Sequence, residues 1–348
     1  MNRELLEKLT VHYLAPRFIL PPTSVFISPT LRCSSACYHC GVWRSRRKVP
    51  ELDPMQWERL LDDPFLLRVR TLWFSGGEPF LRPDLSLLAR KVIDVLPGLK
   101  SVTVATNGLH PFRMENFLED IAPILKQRGI YAWIHLSLDG PPEIHDQMRG
   151  VEGAFRSLER TVLILRRFKD SGAGIGWGFN CVVTGLNARH IKETEEIAAS
   201  LGGEITFNLA LPEGGFYRGS GSGELNLEDK ALIKPAIKEF IKRDNAYYRR
   251  FYESVLDVLE SRPRRHRCET LEATLYFDPD GSAYPCPYAY DEFKVRVYPS
   301  GVREAWKQLA KYRSYIRRRL CAGCSLGCSF GEGISLSELL KLRREESQ

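Results

Sequence analysis

The chain has 348 residues, of which 43% are hydrophobic and 27% charged, as in a folded protein with one large and one smaller domain. Charged residues interrupt every apolar run before it reaches the length of a membrane span. The N-terminal residues also lack the apolar stretch of a secretory signal, so we expect a cytoplasmic protein without a membrane span. Thiols stay reduced there, so nine cysteines indicate metal binding or catalysis more than disulfides.

The net charge of +7 is concentrated in basic runs at 44–48, 262–267 and 317–319, each next to a cysteine group. A cluster that carries several thiolates is anionic, so neighbouring arginines are favourable and an acidic electron donor would be attracted. No base-reading motif accompanies the basic runs, so nucleic acid is not an expected partner.

Residues 24–211 alternate between short apolar segments and amphipathic helical patterns. Strands are predicted at 24–31, 71–76, 101–108, 131–140, 178–185 and 204–211. Helices are predicted at 53–63, 84–96, 112–127, 153–168 and 188–201. Such alternation predicts an α/β fold with a parallel sheet and right-handed crossovers. Six units are fewer than the usual eight, so we expect a partial (β/α)6 TIM-like barrel.

The C-terminal third has a different composition. A Gly-rich loop is predicted at 212–224 and a long helical region, interrupted by Pro235, follows it. The segment "FDPDGSAYPC" predicts a β-hairpin. We therefore divide the chain into an N-terminal extension (1–23), a barrel (24–225), linking helices (226–262) and a small β-hairpin/helix domain (263–348).

Three cysteines, Cys33, Cys37 and Cys40, lie just after the first predicted strand with the spacing C-x3-C-x2-C. Barrel enzymes carry their catalytic groups at this edge of the sheet. Three thiolates on a four-iron cluster leave one iron without a protein ligand, and an open coordination position distinguishes a catalytic metal site from a structural one. The alternative is zinc with His39 as fourth ligand, but a residue between two ligands is badly placed to complete the tetrahedron.

Further motifs follow the next strands: "SGGEP" (75–79), "TNG" (106–108), and "SLDG" (137–140) with "HDQMRG" (145–150). With the cysteine spacing they resemble the radical S-adenosylmethionine (SAM) superfamily. The resemblance implies a [4Fe–4S] cluster, bound by three cysteines and SAM, at which SAM is cleaved reductively to a 5′-deoxyadenosyl radical that abstracts hydrogen from a substrate C–H bond. The cofactor-binding residues that it implies are Tyr38, Gly76, Gly77, Glu78, Pro79, Asn107, Ser137, Arg160 and Asn180.

A second cysteine group lies in the C-terminal domain. Its members are Cys268, Cys286, Cys321, Cys324 and Cys328. From spacing alone, a hairpin with thiolates and a C-x2-C pair suits zinc as well as iron. The group resembles the SPASM and twitch extensions of radical SAM enzymes. A full SPASM extension has seven cysteines, so five fit the twitch form, with one auxiliary [4Fe–4S] cluster and Cys328 as the alternative to Cys324.

The resemblance extends to anaerobic sulfatase-maturating enzymes and twitch-type dehydrogenases, with one important departure. The maturases have an Asp directly after the second hairpin cysteine, where this chain has Pro287, so sulfatase maturation is not expected. Asp291 and Tyr288 follow the hairpin and are candidate catalytic residues. His135 is a third, because side chains alternate along a strand and His135 shares the face of Ser137.

The sequence therefore predicts a radical SAM oxidoreductase or transferase whose auxiliary cluster assists oxidation or relays electrons. Its expected partners are an electron donor such as flavodoxin or ferredoxin and a small-molecule, lipid-precursor or peptide substrate. Oxidation, carbon–carbon bond formation and group transfer stay open. A peptide-modifying maturase would need a separate leader-binding partner, because only residues 1–23 precede the first strand. A zinc-stapled nucleic-acid-binding protein is the non-enzyme alternative, and it leaves the three-cysteine site and the GGEP and SLDG motifs unexplained.

Overall fold

The computed structural model describes residues 20–44, 49–170, 174–211, 216, 225–243, 246–265, 268, 272–290 and 292–325. Several sequence-based predictions lie outside these residues. They are the N-terminal extension up to residue 19, the Gly-rich loop apart from Phe216, the candidate catalytic residue Asp291, and Cys328.

The described part of the chain is organised around one open sheet with the order β6-β5-β4-β3-β2-β1-β7-β8. All neighbouring strands are parallel except β7 and β8. The strands are β1 (Ser24–Thr30), β2 (Thr71–Gly76), β3 (Ser101–Thr106), β4 (Tyr131–Ser137), β5 (Ile175–Val183), β6 (Ile205–Leu209), β7 (Thr274–Phe277) and β8 (Ala283–Tyr284). The predicted α/β partial barrel is confirmed.

Helices cover the outer face of the sheet. Those described are α1 (Pro54–Leu61), α2 (Leu85–Val95), α3 (Pro111–Arg128), α4 (Pro142–Arg149), α5 (Ala154–Asp170), α6 (Ile191–Ser200), α7 (Leu227–Arg243), α8 (Ala246–Leu259), α9 (Val302–Ala310) and α10 (Arg313–Arg319). Local sequence explains several ends: Asp53 and Gln56 form a capping box at α1, and α3 ends at the left-handed Gly129. None of the described helices is both long and apolar enough to cross a membrane.

The two faces of the sheet differ in what they contact. In β4, Ala132, Ile134 and Leu136 are buried in the main hydrophobic core under the helices. Side chains alternate along a strand, so His135 and Ser137 point to the opposite, inner face, where both are only half-buried. His135 and Ser137 therefore share one face of β4, the face that points away from the helices.

Helix α7 differs from the prediction, because it runs through Pro235 without interruption. Its neighbours Ile233, Ala236 and Ile237 are buried in a second hydrophobic cluster with the outer side chains of β5 and β6. This burial offsets the hydrogen bond that proline removes from the helix interior.

The predicted hairpin is present as β7 and β8, and it continues the barrel sheet. Strand β7 pairs in parallel with β1, with Val25 opposite Leu275 and Ile27 opposite Phe277. All four side chains lie in the main hydrophobic core. The domain boundaries stay predictions, but the hairpin shares its core with the barrel.

This shared core predicts the effect of truncating Leu275, which is fully buried. Leu275→Ala should lower the free energy of unfolding of the whole barrel by about 2–5 kcal/mol, because it removes buried methyl groups and leaves a cavity. Urea unfolding of the cofactor-free protein, followed by tryptophan fluorescence, measures it.

The control is Leu227→Ala, since Leu227 is 86% exposed. We expect this change to shift stability by no more than about 0.5 kcal/mol. An unchanged barrel transition in Leu275→Ala would contradict the shared core.

Candidate cluster and cofactor site

The first cysteine group lies in a loop, residues 31–44, which we call the cysteine loop. It begins directly after β1, and its first residues are bound to the end of β2. The backbone N–H of Gly77 donates to the Thr30 carbonyl at 2.9 Å, and that of Glu78 donates to the Arg32 carbonyl at 2.8 Å. A Cβ on Gly77 would lie 2.2 Å from the Arg32 carbonyl oxygen, so only glycine allows this approach.

The middle of the cysteine loop is bound to the C-terminal end of α4. The N–H groups of Ala36 and Tyr38 donate to the carbonyls of Arg149 and Met148, each at 2.9 Å. These two bonds flank Cys37. The Arg149 side chain also donates from Nη1 to Cys37 Sγ at 3.5 Å. The position of Cys37 is therefore fixed through both backbone and side chain.

The three thiols are close enough to influence one another. Burial raises the pKa of Cys33 to about 11 and that of Cys40 to about 12, and the charge of Cys37 adds to both shifts. Thiolates in such surroundings need positive charge, which iron ions supply. Among the described residues, no three His, Cys, Asp or Glu side chains converge as ligands of a single ion. In a four-iron cluster each thiolate binds a different iron. The donor set fits such a cluster.

Glu78 presents a buried carboxylate beside this loop. It accepts hydrogen bonds from Asn107 N at 2.8 Å, Phe80 N at 3.1 Å and Thr106 Oγ1 at 2.9 Å. Burial raises its pKa to about 7, although these hydrogen bonds act to lower it. Pro79 is buried directly after it, at the start of a 3-10 turn over Pro79–Leu81.

Asn107 joins the end of β3 to the cysteine loop. Its Nδ2 donates to Ser35 Oγ at 2.8 Å and to Ser34 Oγ at 3.2 Å, and its Oδ1 accepts from Leu109 N at 3.0 Å. The side chain thus stabilises the loop, a role that the sequence did not indicate.

The remaining predicted cofactor residues have different surroundings. Ser137 and Asn180 are opposite each other on β4 and β5, and Asn180 Oδ1 accepts a hydrogen bond from Asn208. Gly76 ends β2. Arg160 is exposed on α5, and the Tyr38 side chain is 42% exposed. Contacts of these residues with SAM stay predictions.

Two of the candidate catalytic side chains, His135 and Tyr288, are among the described residues, and they lie on the inner face of the sheet and near the hairpin. The His135 ring lies 5.9 Å from that of Trp73, and burial lowers its pKa to about 4, so it is neutral at pH 7. Tyr288 is half-buried and packs against the cluster of buried residues that contains Cys286. Their catalytic roles stay predictions.

Four cysteines of the second group lie together. A hydrogen bond with Cys268, together with burial and the charges of Cys268, Cys324 and Cys286, raises the pKa of Cys321. Cys286 and Cys324 are buried, and Cys268 and Cys321 are half-buried. This donor set fits a closed cluster with four protein ligands.

Phe216 connects the two cysteine groups. Its carbonyl accepts a hydrogen bond from Gly41 N in the cysteine loop at 2.7 Å. Its ring lies 4.5 Å from that of Tyr290 and 6.1 Å from that of Tyr284, in the hairpin region that contains Cys286. The two sites are therefore joined by direct packing as well as by the sheet.

Comparison with known proteins identifies the class. The family model described as "Radical SAM superfamily" matches residues 27–198, which include the cysteine loop and β2 to β5. The chain belongs to the radical SAM superfamily.

Several relatives match most of the chain. PqqA peptide cyclase of Ruegeria pomeroyi is 27% identical over 325 residues, which cover 86% of this chain and 78% of the relative. Mycofactocin maturase MftC of Mycobacterium tuberculosis is 24% identical over 312 residues, covering 86% of this chain and 73% of the relative. The solved structure of tagged anSMEcpe with bound AdoMet superposes with a TM-score of 0.59 at 20% identity, covering 93% of this chain and 96% of that one. At that identity the likeness concerns the fold.

The protein is therefore a radical SAM enzyme that uses SAM and a [4Fe–4S] cluster, and its cysteine-rich C-terminal part has the donor set for an auxiliary cluster. The prediction of SAM and a [4Fe–4S] cluster as cofactors is therefore confirmed. Which side chains bind each cofactor stays a prediction.

Sequence reasoning missed Asp139 and Arg149. Both lie in motifs that were noticed, SLDG and HDQMRG, but neither residue was given a role. Helix α4, which ends at Arg149, has only eight residues and was not predicted. The signal was present as a buried Arg and a buried Asp in adjacent motifs, yet only the fold brings them together.

The raised pKa of Glu78 predicts a pH dependence of stability. The folded-state pKa of about 7 lies above the ordinary value of 4.5, so the folded protein binds the extra proton between these values. The stability that depends on Glu78 is then present below pH 4.5 and lost as the pH rises to 7. Relative to Glu78→Gln, the cofactor-free wild type should lose up to about 3 kcal/mol between pH 5 and 8. Urea unfolding at both values measures it.

Glu119→Gln is the control, because Glu119 is exposed on α3. This variant should keep the pH dependence of the wild type. If Glu78→Gln kept it too, the protonation assigned to Glu78 would be wrong.

Proposed function

We propose that the enzyme applies radical SAM chemistry to a C–H bond in a peptide substrate. In this proposal Cys33, Cys37 and Cys40 bind the SAM-cleaving cluster and leave one iron open for SAM. The supporting observation is that these three thiols lie close to the Glu78 carboxylate at the carboxyl edge of the sheet: the charges of Cys37 and Glu78 act on Cys33, and the backbone N–H of Glu78 donates to the carbonyl of Arg32, next to Cys33. SAM bound at the reduced cluster supplies a 5′-deoxyadenosyl radical, which abstracts a hydrogen atom.

Residues at the sheet edge would bind the rest of SAM. The backbone at Gly76 and Gly77 and the Glu78 carboxylate would bind its amino group, as the superfamily resemblance implies. Ser137 would contact the SAM carboxylate, and Asn180, opposite it on β5, would contact the ribose. In this arrangement the protein orients SAM and needs no acid or base for the hydrogen abstraction.

The inner face of the sheet would exclude water from the radical. The Phe26 ring stacks on Trp73 at 4.9 Å and on Tyr276 at 4.6 Å, and Trp133 continues the aromatic surface along β4. Such a surface offers apolar contact to a substrate and protects a reactive intermediate from solvent.

Cys268, Cys286, Cys321 and Cys324 would bind the auxiliary cluster, whose role we propose to be the acceptance or relay of the electron left on the substrate. Tyr290 and Phe216 pack between the two cysteine groups, which supports a short path between the clusters. A cytoplasmic flavodoxin or ferredoxin would transfer an electron to the SAM-cleaving cluster.

The peptide substrate is supported by the relatives. PqqA peptide cyclase has a peptide in its name, and its similarity extends over 86% of this chain, beyond the barrel itself. A small molecule or lipid precursor is the alternative outcome.

The test uses anaerobically reconstituted protein, reductant, SAM and synthetic peptides encoded beside its gene. We expect about eight irons per chain, from two four-iron clusters, and 5′-deoxyadenosine together with a peptide mass that has changed. Loss of two hydrogens would indicate oxidation or ring formation, and a gain would indicate transfer. Iron near zero with zinc present would contradict the proposal, and 5′-deoxyadenosine with no modified peptide would contradict the peptide substrate.

Two cysteine variants separate the clusters. Cys37→Ala should retain about four irons and form no 5′-deoxyadenosine, whereas Cys286→Ala should still form it but leave the peptide unmodified. Mass spectrometry measures both products. Peptide modification at the wild-type rate in Cys286→Ala would exclude an auxiliary redox role.

A further inference from the structure

A fully buried ion pair lies directly beneath the cysteine loop. Asp139, at the end of the SLDG motif, is 0% exposed, and Arg149, at the end of α4, is 5% exposed. Asp139 is fixed from other sides too: its Oδ1 accepts from Val182 N at 2.9 Å and its carbonyl accepts from Asn187 Nδ2 at 2.8 Å. Its N–H donates to His145 Nδ1 at 3.1 Å.

The planar guanidinium of Arg149 joins this carboxylate to a thiol. One terminal nitrogen pairs with Asp139 Oδ2, and the other donates to Cys37 Sγ at 3.5 Å. Burial acts to lower the pKa of Arg149, but the charges of Asp139 and Cys37 raise it overall, so the group is a cation. The orientation of the Arg149 guanidinium is therefore set by Asp139, whose side chain is itself fixed by its other hydrogen bonds.

A buried ion pair is weak evidence for stability, because desolvating two charges costs about as much as their attraction returns. The pair Asp139–Arg149 therefore calls for another explanation, and its contact with Cys37 supplies one. The backbone bonds from Ala36 and Tyr38 to the end of α4 keep that thiol against the guanidinium. Cys40 Sγ differs, since it faces the Phe216 carbonyl at 4.0 Å.

We propose that Arg149, oriented by Asp139, is a positioning residue that donates a charged hydrogen bond to the Cys37 thiolate and raises the reduction potential of the SAM-cleaving cluster. Reduction adds negative charge to the cluster, so a fixed cation next to one of its sulfurs stabilises the reduced state more than the oxidised state. The inference rests on the proposed role of Cys37 as a cluster ligand.

The experiment is a redox titration of the reconstituted holoenzyme, followed by the EPR signal that SAM perturbs. Arg149→Gln alone would leave Asp139 as an unpaired buried charge, so the charge is removed with the double variant Asp139→Asn/Arg149→Gln. We expect the ratio of reduced to oxidised cluster in this variant to fall about tenfold at a fixed potential, which corresponds to about 59 mV for a one-electron couple. Arg149→Lys keeps the charge but loses the planar fork, so its potential should lie between the two.

A second double variant, Arg82→Gln/Asp84→Asn, is the matched control. Arg82 is also 5% exposed and paired with an Asp, but it donates to the carbonyls of Pro29 and Leu52 and to none of the described cysteines. Its titration, and that of the auxiliary cluster in every variant, should match the wild type.

The remaining outcomes are decisive. A four-iron SAM-responsive cluster at the wild-type potential in the Asp139/Arg149 double variant overturns the inference. Loss of this cluster in the double variant with retention in Arg149→Lys supports it, because the charge alone rescues. Equal loss in both overturns the electrostatic role. If the wild type itself had no SAM-responsive signal, the proposed function would fail first.

Discussion

The cysteine loop is fixed from two sides by backbone hydrogen bonds, and the site depends on this constraint. On one side the N–H groups of Gly77 and Glu78 bind the start of the loop, and on the other the end of α4 binds the residues that flank Cys37. Both contacts are made by backbone groups of the barrel, next to Cys33 on one side and around Cys37 on the other. The scaffold therefore contributes directly to the positions of the candidate ligands.

The electrostatics of the site follow from burial. The thiols of Cys33 and Cys40 and the carboxyl of Glu78 all have raised pKa values because they lie away from water. Each of these groups would be stabilised by positive charge, which a metal cluster and SAM bring. Arg149 is the fixed cation that the protein itself provides. The ionised forms of these side chains are thus disfavoured in the site unless bound cofactors supply positive charge.

Much of the fold was predictable from sequence, because the apolar strands and amphipathic helices of the barrel follow clear periodicities. The failures have physical causes. Pro235 was expected to break a helix, but packing of α7 on β5 and β6 overrides that tendency. The pairing of β7 with β1 joins residues that are far apart in sequence, and no local pattern reports it. The cysteine spacing predicted a set of candidate ligands, whereas the Asp139–Arg149 pair became visible only once the fold brought α4 next to the cysteine loop.

Membership of the radical SAM superfamily gives the chemistry, and the residue assignment is what remains to be measured. The most direct measurement is electron–nuclear double resonance of the reduced protein with SAM labelled with ¹⁵N at its amino group. If Cys33, Cys37 and Cys40 leave one iron open, the labelled nitrogen should couple to the cluster, and the coupling should vanish in Cys37→Ala but persist in Cys286→Ala. A coupling that persists in Cys37→Ala, or none in the wild type, would contradict the assignment.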